Sequence, residues 1–191
     1  PSGSSVDCIE PDTAFRVCFS DPNQGVGAAD YISANSLATK IGIIYNSSET
    51  YSTGIKDKFV EVAPSKGLEV VGEEAFTNDS ATDFNAQLTN LRDAGAEFLF
   101  LPIYYTPASL IMTQAKAMGY TPLYFGSDGM DGILGMDNID TTLVEGVMYL
   151  TPFIKSSTDE ATAKFVKSFT AAYPDQTQYM NQFAADAYDA M

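Results

Sequence analysis

Apolar residues recur along the chain in two alternating rhythms. Short unbroken runs of strand length occupy residues 41–45 (IGIIY), 68–71 (LEVV), 98–101 (FLFL), 123–125 (LYF) and 147–150 (VMYL). Most lack polar alternation, as expected of strands buried on both faces of a parallel sheet. Residues 15–19 (FRVCF) read as one further strand, followed by a turn at 20–25 (SDPNQG). Between the runs lie stripes with helical spacing. They comprise Ala29, Ile32, Ser36 and Leu37; then Ile55, Phe59, Val62 and Ala63; then Phe84, Leu88 and Leu91; then Ala108, Ile111, Met112, Ala115 and Met118. Asp83 is placed to cap the third stripe and Pro107 to open the fourth. Gly67, Gly95 and Gly119 close the last three, where a left-handed residue is cheap. Residues 130–143 have no clean period and predict a short helix and a loop. Ser157-Thr158-Asp159-Glu160 has the capping-box pattern. It opens a stripe of Thr162, Phe165, Val166, Phe169 and Tyr173 that Pro174 ends. The last stripe is Met180, Phe183, Ala184, Ala187, Tyr188 and Met191. Strands alternating with helices predict an α/β fold: three layers, αβα, around a doubly wound, mostly parallel sheet. Residues 1–14 read as a linker or crossover and 15–175 as the α/β lobe.

Composition narrows the function. The chain has 191 residues, 45% of them hydrophobic, which is a globular composition with material for a sizeable core. Net charge is −15, from 25 acidic and 10 basic residues, so binding nucleic acid by phosphate neutralisation is disfavoured. There is no histidine. That removes serine–histidine and cysteine–histidine nucleophile systems and the usual zinc sites. The two cysteines, Cys8 and Cys18, leave two readings open: a disulfide, or a Cys18 buried as an apolar residue in the 15–19 strand. The abrupt start at Pro1, and an end at Met191 inside a helical pattern, suggest a piece of a longer protein.

No cofactor fingerprint is present. Gly25 and Gly27 precede Asp30 where a dinucleotide motif needs its third glycine. There is no phosphate-binding glycine loop and no nucleophile elbow. Asp128, Asp131, Asp137 and Asp140 lack calcium-loop spacing and read as solvated loop carboxylates. No metal, cofactor or catalytic residue is therefore expected. What remains is a set of turns. In a parallel sheet, the turns at 20–24, 46–51, 103–106 and 127–131 share the carboxyl edge, where open α/β sheets bind ligands. They gather Asn23, Tyr51, Tyr104, Tyr105 and Asp128. Aromatic faces and hydroxyls beside a carboxylate suit a small ligand bearing a cation. Each residue also has a structural reading: Asp128 as a helix cap, Asn23 as a turn former, and Tyr51 as packing against its own helix. If extended, Tyr104 and Tyr105 cannot both face the cleft.

These residues in this order resemble the type I periplasmic binding proteins. The likeness runs through 15–25 (FRVCFSDPNQG), 41–45 with Tyr51-Ser52-Thr53-Gly54, 76–84, and Phe125-Gly126-Ser127-Asp128-Gly129. It is nearest to the leucine/isoleucine/valine-binding branch, the extracytoplasmic receptors of branched-chain amino-acid ABC importers. It covers roughly residues 14–191. The resemblance implies two α/β lobes joined by a hinge. This chain matches the second, and 176–191 is a helix returning toward a first lobe that is missing. It implies that an amino-acid-like ligand is captured by closure and the closed form is read by a membrane permease. The protein would sit in the periplasm, or at the surface as a lipoprotein. By position, the resemblance makes Tyr51, Tyr104 and Asp128 ligand-binding. An acidic family position near the Gln-Gly pair is occupied here by Asn23. The family often has glutamate where Asp128 stands, so the reach is one methylene shorter. One lobe alone would bind weakly or not at all.

Two other classes are compatible with these residues. A ligand-sensing domain of a receptor or transcription regulator has the same fold, and an adjoining DNA-binding or transmembrane segment would favour it. An α/β enzyme with its catalytic groups elsewhere has little support from these residues.

Overall fold

The computed structural model describes residues 3–9, 13–137, 139–177 and 180–191, without the side chains at 182, 183, 189 and 190. Phe183 of the last predicted stripe therefore lies outside the described side chains. The chain divides into two compact units, Asp21–Leu150 on the one hand and Pro1–Ser20 with Thr151–Met191 on the other.

The larger unit holds α1 (Asp21–Ala34), β1 (Lys40–Asn46), α2 (Thr50–Val62), β2 (Glu69–Phe76), α3 (Asn85–Asp93), β3 (Phe98–Leu101), α4 (Tyr105–Ala117), β4 (Leu123–Gly126) and β5 (Met148–Tyr149). All strand pairs are parallel, in the order β2-β1-β3-β4-β5. The chain steps outward from β1 to β2, then returns past β1 to β3. The winding therefore reverses between β1 and β3, the switch point where the loops after neighbouring strands part to opposite faces.

Strand periodicity builds a core on each face. In β3, Phe98 and Phe100 join Ile41, Ile43, Ile55 and Phe59 beneath α1 and α2. Leu99 and Leu101 join Leu88, Leu91, Ile111 and Met112 beneath α3 and α4. That is why the 98–101 run is apolar throughout. Helices α1 and α2 approach closely at Gly25. A Cβ there would stand 2.8 Å from the Phe59 amide nitrogen and closer still to the Ile55 carbonyl oxygen. Both are backbone atoms that cannot swing aside. Gly25→Ala is expected to cost about 1–3 kcal/mol of stability. A lower denaturant midpoint at unchanged slope would show it.

Several sequence expectations are corrected. Residues 15–19 form no strand: Phe15 is 93% exposed and Val17 is exposed too. A strand needs a ladder partner, and instead Arg16 Nη1 donates to the carbonyls of Ser4 and Ser5, at 3.0 and 2.7 Å. The expected turn at 20–25 is the first turn of α1. That helix ends at Ala34, and Ser36 turns the chain with a φ of 51°. Helix α4 starts at Tyr105 rather than Pro107; proline is tolerated anywhere in a first turn, whose N–H groups have no intrahelical acceptor. Helix α3 starts after Phe84, with Asp83 Oδ1 accepting from the Asn85 N–H at 3.0 Å. Among the described residues of 130–143, the expected short helix takes the form of 3-10 turns at Ile133–Gly135 and Thr141–Leu143.

The smaller unit contains α5 (Glu160–Ala172) and α6 (Gln182–Ala190). The cap of α5 is Asp159, not Ser157; its carboxylate accepts the Thr162 N–H at 2.9 Å. Phe165 is the buried centre, with rings of Phe153, Phe169 and Tyr188 around it. Tyr173, placed in the stripe by spacing, is exposed. Cys8 and Cys18 are separate thiols; Cys18 is half-buried, its Sγ 3.4 Å from the Gly3 carbonyl oxygen. Among the described residues, no helix is long and apolar enough to cross a membrane.

Candidate functional site

The carboxyl edge of the sheet is built by local rules. β1 ends at Asn46, whose N–H donates to the Ser52 hydroxyl at 2.8 Å and whose Oδ1 accepts the Ser48 N–H at 3.0 Å. These bonds close the short loop and set Tyr51 in the first turn of α2. β3 leads through Pro102 to Tyr104, the extended residue that precedes α4. β4 ends at Gly126, and Asp128 begins a 3-10 turn whose cap position is Ser127.

These three segments converge. The Tyr51 and Tyr104 rings stack with centroids 5.0 Å apart and planes 17° from parallel. They come from the loops after β1 and β3, the two strands that flank the switch point. Tyr51 O–H donates to Asp128 Oδ1 at 2.6 Å. The same phenol oxygen accepts the Gly129 N–H at 2.9 Å and lies 2.7 Å from the Ser127 hydroxyl. Having spent its one proton on Asp128, Tyr51 is the acceptor from Ser127. Gly129 is required here, since a Cβ would stand 2.8 Å from the Tyr51 hydroxyl and 2.9 Å from the Ile103 carbonyl oxygen.

A fourth contributor comes from α1. Gln24 Nε2 donates to Asp128 Oδ1 at 2.8 Å, and the Asp128 N–H donates to Gln24 Oε1 at 2.9 Å. Gln24 and Asp128 are only 4% and 9% exposed. Asp128 is thus engaged by other elements, not only by its own turn. Sequence reading missed Gln24 and Ser127. Asn23, the expected site residue, is exposed in the same helical turn. The signal was present: Ala28 and Ile32 continue back by fours to Gln24, which puts Gln24 on the buried face and Asn23 off it. Tyr104 takes the stacked position while Tyr105, in the first turn of α4, lies toward Gly132.

The edge is acidic. Burial raises Glu49 above the usual carboxylate range. Burial, then the charges of Glu49, Asp128 and Asp21, hold the Tyr104 phenol above its ordinary value. Burial, then the charge and hydrogen bond of Asp128, hold Tyr51 far above it. Burial also pushes Tyr120 up to about 12 and raises Tyr124. An unfolded tyrosine ionises near pH 10, before these folded ones do. Their contribution is therefore intact below about pH 10 and is lost as pH rises toward and past the folded values. The melting temperature should fall from about pH 10 upward, and Tyr51→Phe should make that fall shallower. Thermal unfolding monitored across that range checks both.

The chemistry of the edge is a fixed carboxylate beside an aromatic pair, which favours a small cationic group. A sequence profile of the periplasmic binding proteins matches residues 1–191. The chain belongs to the periplasmic binding protein family. It is similar to an amino acid binding protein of Pseudomonas aeruginosa, 32% identical over 116 residues, 61% of this chain and 30% of the relative. It is also similar to the Leu/Ile/Val-binding protein homolog 3 of Brucella melitensis, 27% identical over 180 residues, 91% of this chain and 46% of that one. Among solved structures, a leucine binding protein from Thermotoga maritima superposes with a TM-score of 0.80 at 25% identity, covering 95% of this chain and 51% of that one. The branched-chain amino acid transporter substrate binding protein of Streptococcus pneumoniae, solved with isoleucine, gives 0.70 at 28% identity, covering 92% and 49%. This periplasmic binding protein chain thus spans less than half the length of those two relatives and about half of those structures.

Proposed function

We propose that this chain is the second lobe of an extracytoplasmic substrate-binding component of an ABC importer. On this reading the intact protein takes a branched-chain amino acid, or a close analogue, between this lobe and a first one. The observation that carries the reading is the Asp128 carboxylate, held by Gln24 and Tyr51 beside the stacked Tyr51–Tyr104 pair at the carboxyl edge of the sheet. It supplies a counter-charge for the ligand ammonium, and the aromatic faces add attraction for the same group. Asn23, exposed one residue before Gln24, stays in the proposed ligand set as a residue of the same helical turn. On this reading the carboxylate of the ligand falls to the first lobe, as the resemblance to the leucine/isoleucine/valine-binding branch implies.

The mechanism is capture by closure. The ligand bridges the two lobes, and the closed form, favoured by contacts that the open form lacks, is read by the permease. On this reading residues 1–14 and 176–191 are the segments that pass between lobes. No catalytic step is assigned. Proteins of this family are solute-binding and extracytoplasmic, and a periplasmic or lipid-anchored location follows for the intact protein.

A thermal-shift screen of the intact protein tests the reading. L-leucine, L-isoleucine and L-valine should raise its melting temperature by mass action, and calorimetry should give one site. This chain alone should bind weakly or not at all. A response to sugars or anions with none to amino acids would overturn the assignment.

A further inference from the structure

Gln24 sits where an apolar residue would be the cheaper choice. It continues the buried face of Ala28 and Ile32 on α1, and it is almost wholly covered. Burying an amide costs free energy unless both of its polar ends are paired. Both ends are paired here, and both with the same residue. The Nε2–H donates to the side chain of Asp128 and the Oε1 accepts from its main chain. The two bonds close a ring across 104 positions of sequence. One planar amide therefore fixes the backbone and the carboxylate of Asp128 together.

Tyr51 completes the arrangement from the other side, with its O–H on the same Oδ1 and its oxygen on the Gly129 N–H. A carboxylate gripped by two donors, in a turn gripped by two acceptors, loses little further freedom when a cation arrives. Orientation settled beforehand is orientation that ligand binding does not have to supply. We infer that Gln24 is a positioning residue for ligand binding: it acts through Asp128 by clamping it, rather than by touching the ligand. This rests on the amino-acid reading of the site above.

The test is a double-mutant cycle on the intact receptor with L-leucine as the probe. Gln24→Met keeps the volume and removes both bonds. It should weaken binding by about 10- to 100-fold, the usual worth of a hydrogen bond to a charged group. In an Asp128→Asn background the same change should cost less than about threefold, because its effect passes through the carboxylate. An equal loss in both backgrounds, or none in either, overturns the proposal. Gln24→Asn retains the amide but withdraws it by one methylene. It should behave like Gln24→Met and serves in its place if the methionine variant does not fold. If the unaltered receptor binds none of L-leucine, L-isoleucine and L-valine, the amino-acid reading fails separately. The clamp is then judged without ligand, by hydrogen exchange at the Asp128 amide. Gln24→Met should speed that exchange by about tenfold or more, and unchanged exchange overturns the clamp itself.

Discussion

Asp128→Asn should weaken L-leucine binding by the intact receptor by about 2–5 kcal/mol, roughly 30-fold to more than a thousandfold. The argument is one of charge without change of shape. Asparagine has the same outline and an Oδ1 that still accepts from Gln24 and Tyr51 at the observed positions. The turn, and the Gly129 N–H bond to Tyr51, should therefore persist, and the melting temperature without ligand should move little. What disappears is the negative charge. A ligand ammonium enclosed by two lobes has given up its water, and an uncompensated charge in such a place carries most of its desolvation penalty. The loss should appear mainly as faster dissociation. Calorimetry with a stopped-flow off-rate would measure it, and an affinity within threefold of the unaltered protein would remove Asp128 from the ligand-binding role.

Phe100→Ala should destabilise the fold by about 3–5 kcal/mol. Phe100 lies in β3 and is fully buried. Its ring stacks on Phe59 of α2 with centroids 4.5 Å apart and planes at 28°, and lies 6.4 Å from the Phe125 ring of β4. Truncation removes an aromatic pairing and leaves a cavity between the central strand and the α1–α2 layer. Flanking Phe98 and Ile43 belong to the same close-packed cluster, which can collapse only partly into the space. For a domain whose whole stability is about 5–15 kcal/mol, this is a fifth or more. Urea unfolding should show a lower midpoint with the slope kept. A cost below about 1 kcal/mol would mean that β3 is not the packed centre.

The parts legible in the sequence were those set by neighbours along the chain. The run at 98–101 and the stripe of Ala108, Ile111, Met112 and Ala115 carry their burial in their own spacing, and all of these residues are buried. Gly67, Gly95 and Gly119 each take a positive φ where a helix was expected to end. Errors came where apolar content was mistaken for a paired strand, as at Phe15 and Val17. They also came where a helix began earlier than its punctuation implied, as at Asp21 and Tyr105. The first of these early starts is what displaced the reading from Gln24 to Asn23, because turn residues and helical residues one position apart point in different directions.

Local residue patterns carry the alternation of strands and helices, a parallel sheet covered on both faces, and the placement of Tyr51, Tyr104 and Asp128 after the ends of strands. Each of those follows from unbroken apolar runs of strand length or from stripes of period 3.6, which a short stretch displays alone. The folded chain adds that β1 lies between β2 and β3, that Tyr51 stacks on Tyr104, and that Gln24 takes hold of Asp128. Those outcomes join residues far apart in the chain. They depend on strand order and on the rotation of each helix about its axis, and no local pattern of residue types specifies either.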